Sequence, residues 1–382
     1  MTRAVVVGAG VFGAWTAHHL QTAGVRVTLV DAYGPAHSRS SSGDESRILR
    51  CGYGPDLLYT QFARRSLAQW RSLQVRLAST SAAIWHPCGV LWMASGDDAY
   101  TTATRTTLEQ AQLPVTVLDS SALQLRYPHL VASDVHTALL EPDCGVLMAR
   151  RAVQSLVDDL IRRDVHWVRA RVTLPMAPGP IDAVHLIDGR DIRADVFVFA
   201  CGAWLPQLFP ELLGEVIHPT RQVVVYFGTP AGDDRFGPSS TPAWVDFPAG
   251  IYGVPDLEQR GMKVGIDAHG AAFDPDRDDR VADVHSIARA REWLARRFPA
   301  MADAPVVETR VCQYENTATG DFLIDRHPEH ENVWIVGGGS GHGFKHGPAV
   351  GEYVARQITA DAKPESRFLL ATKSTAFGRS VY

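Results

Sequence analysis

Cysteine is scarce and unpatterned in this chain. Its 382 residues hold five cysteines, at 51, 88, 144, 201 and 312, with no CxxC pair among them. Neither a disulfide framework nor a cysteine-based zinc site is therefore expected, and no metal ligand set stands out. A basic excess is also lacking: 37 Lys and Arg stand against 42 Asp and Glu, a formal charge of −5. That balance gives no electrostatic grip on nucleic acid or on an anionic lipid surface. No apolar run approaches the roughly 18 residues that would span a bilayer. The first residues run straight into an apolar strand pattern, without a basic n-region or a small-residue cleavage site, so the cytoplasm is the expected compartment. What is present is ordinary globular composition, 46% apolar and 21% charged. At this length two domains are expected, with a core large enough to need no staples.

The informative start is at the N-terminus. Ala4 to Val7 read AVVV, which suits a strand buried on both faces. Gly8-Ala9-Gly10-Val11-Phe12-Gly13 follows, then a helical stretch closed near Gly24, then a second apolar strand ending at Asp31. Strand, GxGxxG, helix, strand and acid in that order make the dinucleotide-binding pattern. Gly8 permits the tight turn, Gly10 lets backbone approach a pyrophosphate, and Gly13 lets helix and strand pack closely. The helix N-terminus supplies unpaired N–H groups for the phosphate, and Asp31 can accept from ribose hydroxyls. The motif by itself fits NAD and FAD alike.

Further along, Ser38 to Gly43 is a serine-rich loop before Asp44-Glu45-Ser46-Arg47-Ile48-Leu49-Arg50. If that segment is helical, Arg47 and Arg50 share a face. Residues 59–77, 104–111, 148–161 and 284–298 read as helices; Val153, Leu156, Val157, Leu160 and Ile161 form an i, i+3, i+4 stripe. Asp188-Gly189 marks a hairpin turn. The stretch from Pro219 to Ile266 reads as mostly antiparallel sheet. Val333 to Val336 is one more buried strand, followed by a glycine-rich turn and a helix. If this last unit returns to the first sheet, both chain ends build one nucleotide-binding domain. The expected fold is α/β, a Rossmann-type domain with a second, mostly antiparallel sheet domain. The expected division is 1–84, 148–216 and 316–382 for the cofactor, and 85–147 and 217–315 for the substrate.

Several stretches together resemble one family, the glycine/D-amino-acid-oxidase-type flavoproteins, and within it the sarcosine and N-methyltryptophan oxidases. They are VVVGAGVFGAW (5–15), LVDAYGP (29–35), GDESRILRCGYG (43–54), FACGAW (199–204), RQVV (221–224) and residues 310–345. The last stretch holds a cysteine at 312 and the IDRHP and SGHGFK elements, and is the most specific. The resemblance implies the glutathione-reductase type of FAD domain and a monomer. It also implies that Cys312 holds the flavin through an 8α thioether; on residues alone, Cys312 reads as a small buried hydrophobe. A cation near the thiol aids such a linkage, and Arg310 is within sequence reach.

The resemblance also implies roles for other residues. Arg50 and Lys345 match positions that clamp a substrate carboxylate, a task suited to charge-assisted donors. Arg47 matches an arginine against the flavin ring. Lys263 matches a lysine tied to oxygen activation, where a cation stabilises developing superoxide. Tyr314 and Tyr252 are candidates for an aromatic wall of the substrate pocket. The cofactor positions carried over are Gly8, Gly10, Val11, Phe12, Gly13, Asp31, Ser42, Ser46, Arg47, Val172, Gly202, Trp204, Gly339, Gly341, His342, Gly343, Phe344 and Lys345. The chain departs from sarcosine oxidases at Ser41 and Ser42 (histidines there), at Asp267 (a histidine there), in one residue fewer around Tyr252, and at Glu315-Asn316. These departures lie on the expected substrate side.

The expected function is FAD-dependent oxidation of a secondary amine, an N-alkyl or cyclic amino acid. Hydride passes to flavin N5, and O2 is reduced to H2O2. Two alternatives fit the same residues. One is a flavin dehydrogenase or tailoring oxidase of a cyclic amine or imine. The other is a non-catalytic nucleotide sensor.

Overall fold

A computed structural model describes residues 1–96, 98–173, 179–360 and 362–376, so the last six residues of the C-terminal segment lie outside the described residues. The buried run of Ala4 to Val7 becomes the strand Arg3–Val7 in the interior of a six-stranded sheet. The order across that sheet is Leu323–Arg326, Val333–Gly337, Val196–Phe199, Arg3–Val7, Arg26–Asp31 and His166–Arg169. All neighbours are parallel except the edge pair formed by Leu323–Arg326 and Val333–Gly337. Strands from residues 3–31 and 333–337 thus lie in one sheet, with Val196–Phe199 between them. Both chain ends meet here, as the glycine-rich C-terminal unit suggests.

Helix Val11–Thr22 covers one face of this sheet beside the C-terminal helix Gly347–Thr359. The stripe Val153, Leu156, Val157 and Leu160 of helix Ala149–Arg162 is fully buried against the same core. Ile161, read as part of that stripe, is instead exposed. The helix turns it outward because the buried arc is already filled by its four neighbours.

The other large sheet has eight strands, ordered Val306–Asn316, His218–Phe227, Met262–Ile266, Ile251–Val254, Ala243–Asp246, Val90–Ala94, Thr137–Glu141 and Thr116–Leu118. It is antiparallel apart from Ala243–Asp246 beside Val90–Ala94. Helix Val284–Arg297 seals one face, with Trp293 stacked on Trp244 at 5.6 Å. No helix among the described residues is long and apolar enough to cross a membrane.

The expectation that 44–50 could be helical is corrected. Ser46–Leu49 is a strand, antiparallel to Gly145–Met148. Its ladder partner is about a hundred residues away in sequence, and cross-strand pairing outweighs the weak i, i+3 signal.

Candidate active site

The first strand runs into Gly8, whose φ of +106° turns the chain toward the helix. A Cβ there would stand 2.3 Å from the Ala200 carbonyl oxygen, and one at Gly13 would stand 1.8 Å from the Gly8 carbonyl oxygen. Only glycine permits both approaches. Gly13 therefore acts through packing and does not face the ligand space. Asp31 lies beneath the turn, accepting from the N–H groups of Ala9, Tyr33 and Gly34 at 2.8 Å each. Ser42 Oγ accepts from the Val11 N–H at 3.0 Å, which ties the serine loop to the helix start.

Above this turn opens a cavity of about 870 Å³. Its walls include Gly8, Gly10, Val11, Phe12, Asp31, Ser42, Arg47, Val172, Gly202, Trp204, Gly339, Gly341, Gly343 and Phe344. A phosphate-type turn, an acid at the next strand end and a large groove fit an extended dinucleotide such as FAD. Five expected cofactor positions lie off these walls. Gly13 packs beneath them. Ser46 turns its carbonyl to Lys263. Cys312 is buried beside Arg47. His342 and Lys345 line a second cavity.

That second cavity, about 280 Å³, is walled by Arg50, Tyr53, Tyr100, Tyr252, Asp267, Tyr314, His342 and Lys345, among others. It shares Arg47, Tyr314, Gly341 and Phe344 with the larger one. The two spaces meet at these shared residues, and Tyr314 and Tyr252 both line the smaller one.

Two buried cations face this space. The Arg50 guanidinium lies 4.5 Å from the Tyr53 ring centre and 4.6 Å from that of Trp92. Lys345 Nζ donates to the His342 carbonyl at 2.9 Å and sits 5.0 Å over the same Tyr53 ring. Both cations thus pack against the one Tyr53 ring, whose hydroxyl is bonded to His346 Nε2 at 2.6 Å and His342 Nδ1 at 3.0 Å. Burial, followed by the neighbouring Arg50 charge, holds the Lys345 ammonium well below its ordinary pKa. An anion between the two cations would relieve both effects. Opposite in sign, Asp267 accepts from the Tyr314 hydroxyl at 3.0 Å.

Off both cavity walls, Asp44 gathers three partners. Lys263 Nζ donates to it at 2.5 Å, Tyr226 Oη donates at 3.1 Å, and Arg47 pairs with it. Burial works to raise the Asp44 pKa, but Lys263 and Arg47 hold it far below the carboxylate range. Burial lowers Lys263 from the ordinary lysine value. Lys263 lines neither cavity; its ammonium is occupied by Asp44 and the Ser46 carbonyl. Arg47 carries the network forward, donating to Cys312 Sγ at 3.3 Å. The cation at this thiol is thus Arg47 and not Arg310, which is taken up by Glu45 and Glu308.

Sequence reasoning missed Asp44 as organiser and Tyr53 as the ring that both cations share. Both sit inside the GDESRILRCGYG stretch, so the signal was present without its geometry. It also gave no role to Glu315, whose burial pushes its carboxyl up to about 7.

Residues 3–357 match the family model described as FAD dependent oxidoreductase. A monomeric sarcosine oxidase of Bacillus sp. (strain B-0618) is 31% identical over 94% of this chain and 93% of its own. An N-methyl-L-tryptophan oxidase of Salmonella arizonae is 28% identical over 92% and 93%. Among solved structures, L-proline dehydrogenase from P. horikoshii superposes with a TM-score of 0.81 at 20% identity, over 95% and 94% of the two chains. A modified fructosyl peptide oxidase from Aspergillus nidulans gives 0.83 at 20%, over 97% and 93%. The fold agrees with these likenesses, and the family model matched over residues 3–357 shows that the chain belongs to the family of FAD dependent oxidoreductases.

Proposed function

We propose that this protein oxidises a small secondary amine that bears a carboxylate, an N-alkyl or cyclic amino acid. The supporting observation is the pairing of Arg50 and Lys345 on a cavity that shares four wall residues with the dinucleotide groove. FAD, when bound, supplies a two-electron acceptor at N5, which O2 can restore with release of H2O2. The protein's part is placement. Arg50 and Lys345 clamp the carboxylate, Tyr314 and Tyr252 flank the amine, and Asp267 gives its positive end a counter-charge. Nothing in this scheme requires a strong protein base. The substrate side is assigned to 85–147 and 217–315, and the cofactor side to 1–84, 148–216 and 316–382. Cys312 is proposed as the covalent anchor, since Arg47 stands beside its sulfur.

A second reading has one specific observation in its favour. Lys263 is occupied by Asp44 and lies off both cavity walls, so this lysine does not itself face the space where oxygen would meet the flavin. Electrons would then pass to an acceptor other than O2.

Anaerobic titration with N-methyl, cyclic and D-amino acids, following loss of flavin absorbance, tests the first reading. Bleaching by carboxylated secondary amines, with little by their decarboxylated analogues, is expected. Equal bleaching by both sets would overturn the clamp. Admitting air then separates the readings: rapid return of colour with peroxide supports an oxidase, and slow return supports the second reading.

A further inference from the structure

Glu315 is a buried acid on the strand Val306–Asn316, 8% exposed, and it lies on the wall of the larger cavity. Its two carboxyl oxygens are treated differently by the fold. Oε1 accepts from the Gly339 N–H at 3.3 Å. Oε2 has no hydrogen-bond partner among the described residues. Two glycines make room for the group: a Cβ at Gly339 would stand 2.9 Å from Oε1, and one at Gly202 would stand 3.3 Å from Oε2.

A buried carboxyl oxygen without a donor is destabilising, because its lost hydration is not replaced. Such an atom on the wall of a ligand groove points to a donor supplied by the ligand. The pyrophosphate is excluded as that neighbour, since like charges repel. Of the donors left on FAD, the flavin N3–H and the adenine amino group stand at the two ends of the cofactor, while the hydroxyls of the ribityl chain and the adenosine ribose run along its length.

We infer that Glu315 is an FAD ligand whose Oε2 accepts a hydrogen bond from a hydroxyl of the cofactor, while Gly339 holds Oε1. The inference rests on the cofactor assignment and not on the substrate reading. The same lack of a partner burdens the protein only while FAD is away. Removing the carboxyl should therefore weaken FAD binding without weakening the apoprotein.

The test uses full-length protein carrying Cys312→Ser, so that flavin exchanges, and measures FAD Kd by flavin fluorescence together with apoprotein Tm. Glu315→Leu should weaken FAD at least tenfold, as expected for a lost hydrogen bond to a charged group, with apoprotein Tm equal to or above that of the parent. Glu315→Gln, whose amide can still bond a hydroxyl, should stay within about fivefold of the parent. An FAD Kd for the Leu variant within twofold of the parent would overturn the inference. So would an apoprotein Tm several degrees lower in both variants, which marks a structural acid. Repeating the measurement with FMN locates the donor: equal weakening assigns it to the ribityl chain, and weakening confined to FAD assigns it to the adenosine ribose. Amine-dependent bleaching of the uncoupled parent is recorded separately, so failure of the substrate reading leaves this result intact.

Discussion

The Arg47 guanidinium lies 3.3 Å from the sulfur of Cys312, although 265 positions separate the two residues. A fixed positive charge there stabilises negative charge developing on sulfur during thioether formation. Cys312→Ser protein should release its flavin into the supernatant on acid precipitation, leaving a colourless pellet. Arg47→Gln should retain the sulfur but slow covalent incorporation, seen as a rising pellet-bound fraction over hours. A yellow pellet from the Cys312→Ser protein would remove that cysteine as the anchor.

The Lys263–Asp44 pair is almost wholly buried on both sides. Breaking such a pair on one side leaves the buried Asp44 with only Arg47 and Tyr226 as side-chain partners, at a cost of up to roughly 3–5 kcal/mol. Lys263→Met should therefore lower stability in urea unfolding by about that amount. Adding Asp44→Asn should restore part of it. If oxygen chemistry depends on this lysine, stopped-flow reoxidation in air also slows in the single variant; an unchanged rate favours a non-oxygen acceptor.

Arg50 and Lys345 should act on the carboxylate end of the substrate alone. Lys345→Gln is expected to reduce kcat/KM for an N-methyl amino acid by roughly 10- to 100-fold, the range of one hydrogen bond between charged groups. The already low turnover of the matching amine without a carboxylate should hardly change. Equal losses on both substrates would place Lys345 outside the clamp.

Lys345 titrates below the ordinary lysine range because burial and the nearby Arg50 disfavour its ammonium. The charged form attracts the carboxylate, so KM should rise with pH before 10.5 is reached. Lys345→Arg, which stays charged, should flatten that limb. A KM profile that is the same in both proteins argues against the assignment.

Glu315 links stability to pH in the flavin-free protein. Its folded pKa of about 7 lies above the unfolded value near 4.5. A raised pKa contributes stability that is fully present below 4.5 and is lost as pH rises through about 7. The interval corresponds to at most about 3–4 kcal/mol. Apoprotein carrying Glu315→Gln should therefore gain on the parent between pH 5 and 8 in denaturant unfolding, and match its slope elsewhere.

Local chemistry made one part of this protein readable from its residues. The strand, glycine turn, helix and acid of residues 3–31 are contiguous, and each step constrains the next through backbone geometry. The glycine-rich turn after Val333 is legible for the same reason, as is most of the apolar stripe of helix Ala149–Arg162. Family resemblance added a clamp and an anchor at numbered positions but no contacts between them. What only the tertiary structure decided is which charges meet. Asp44 and Lys263 stand 219 positions apart and form a buried pair. Residues 46–49 became a strand because a distant partner offered a ladder. Tyr53 offers one ring to two cations from distant segments, and Glu315 owes its raised pKa to burial beside Gly202 and Gly339. Charge pairing and desolvation depend on distance in space, which a linear pattern does not encode until the chain has folded.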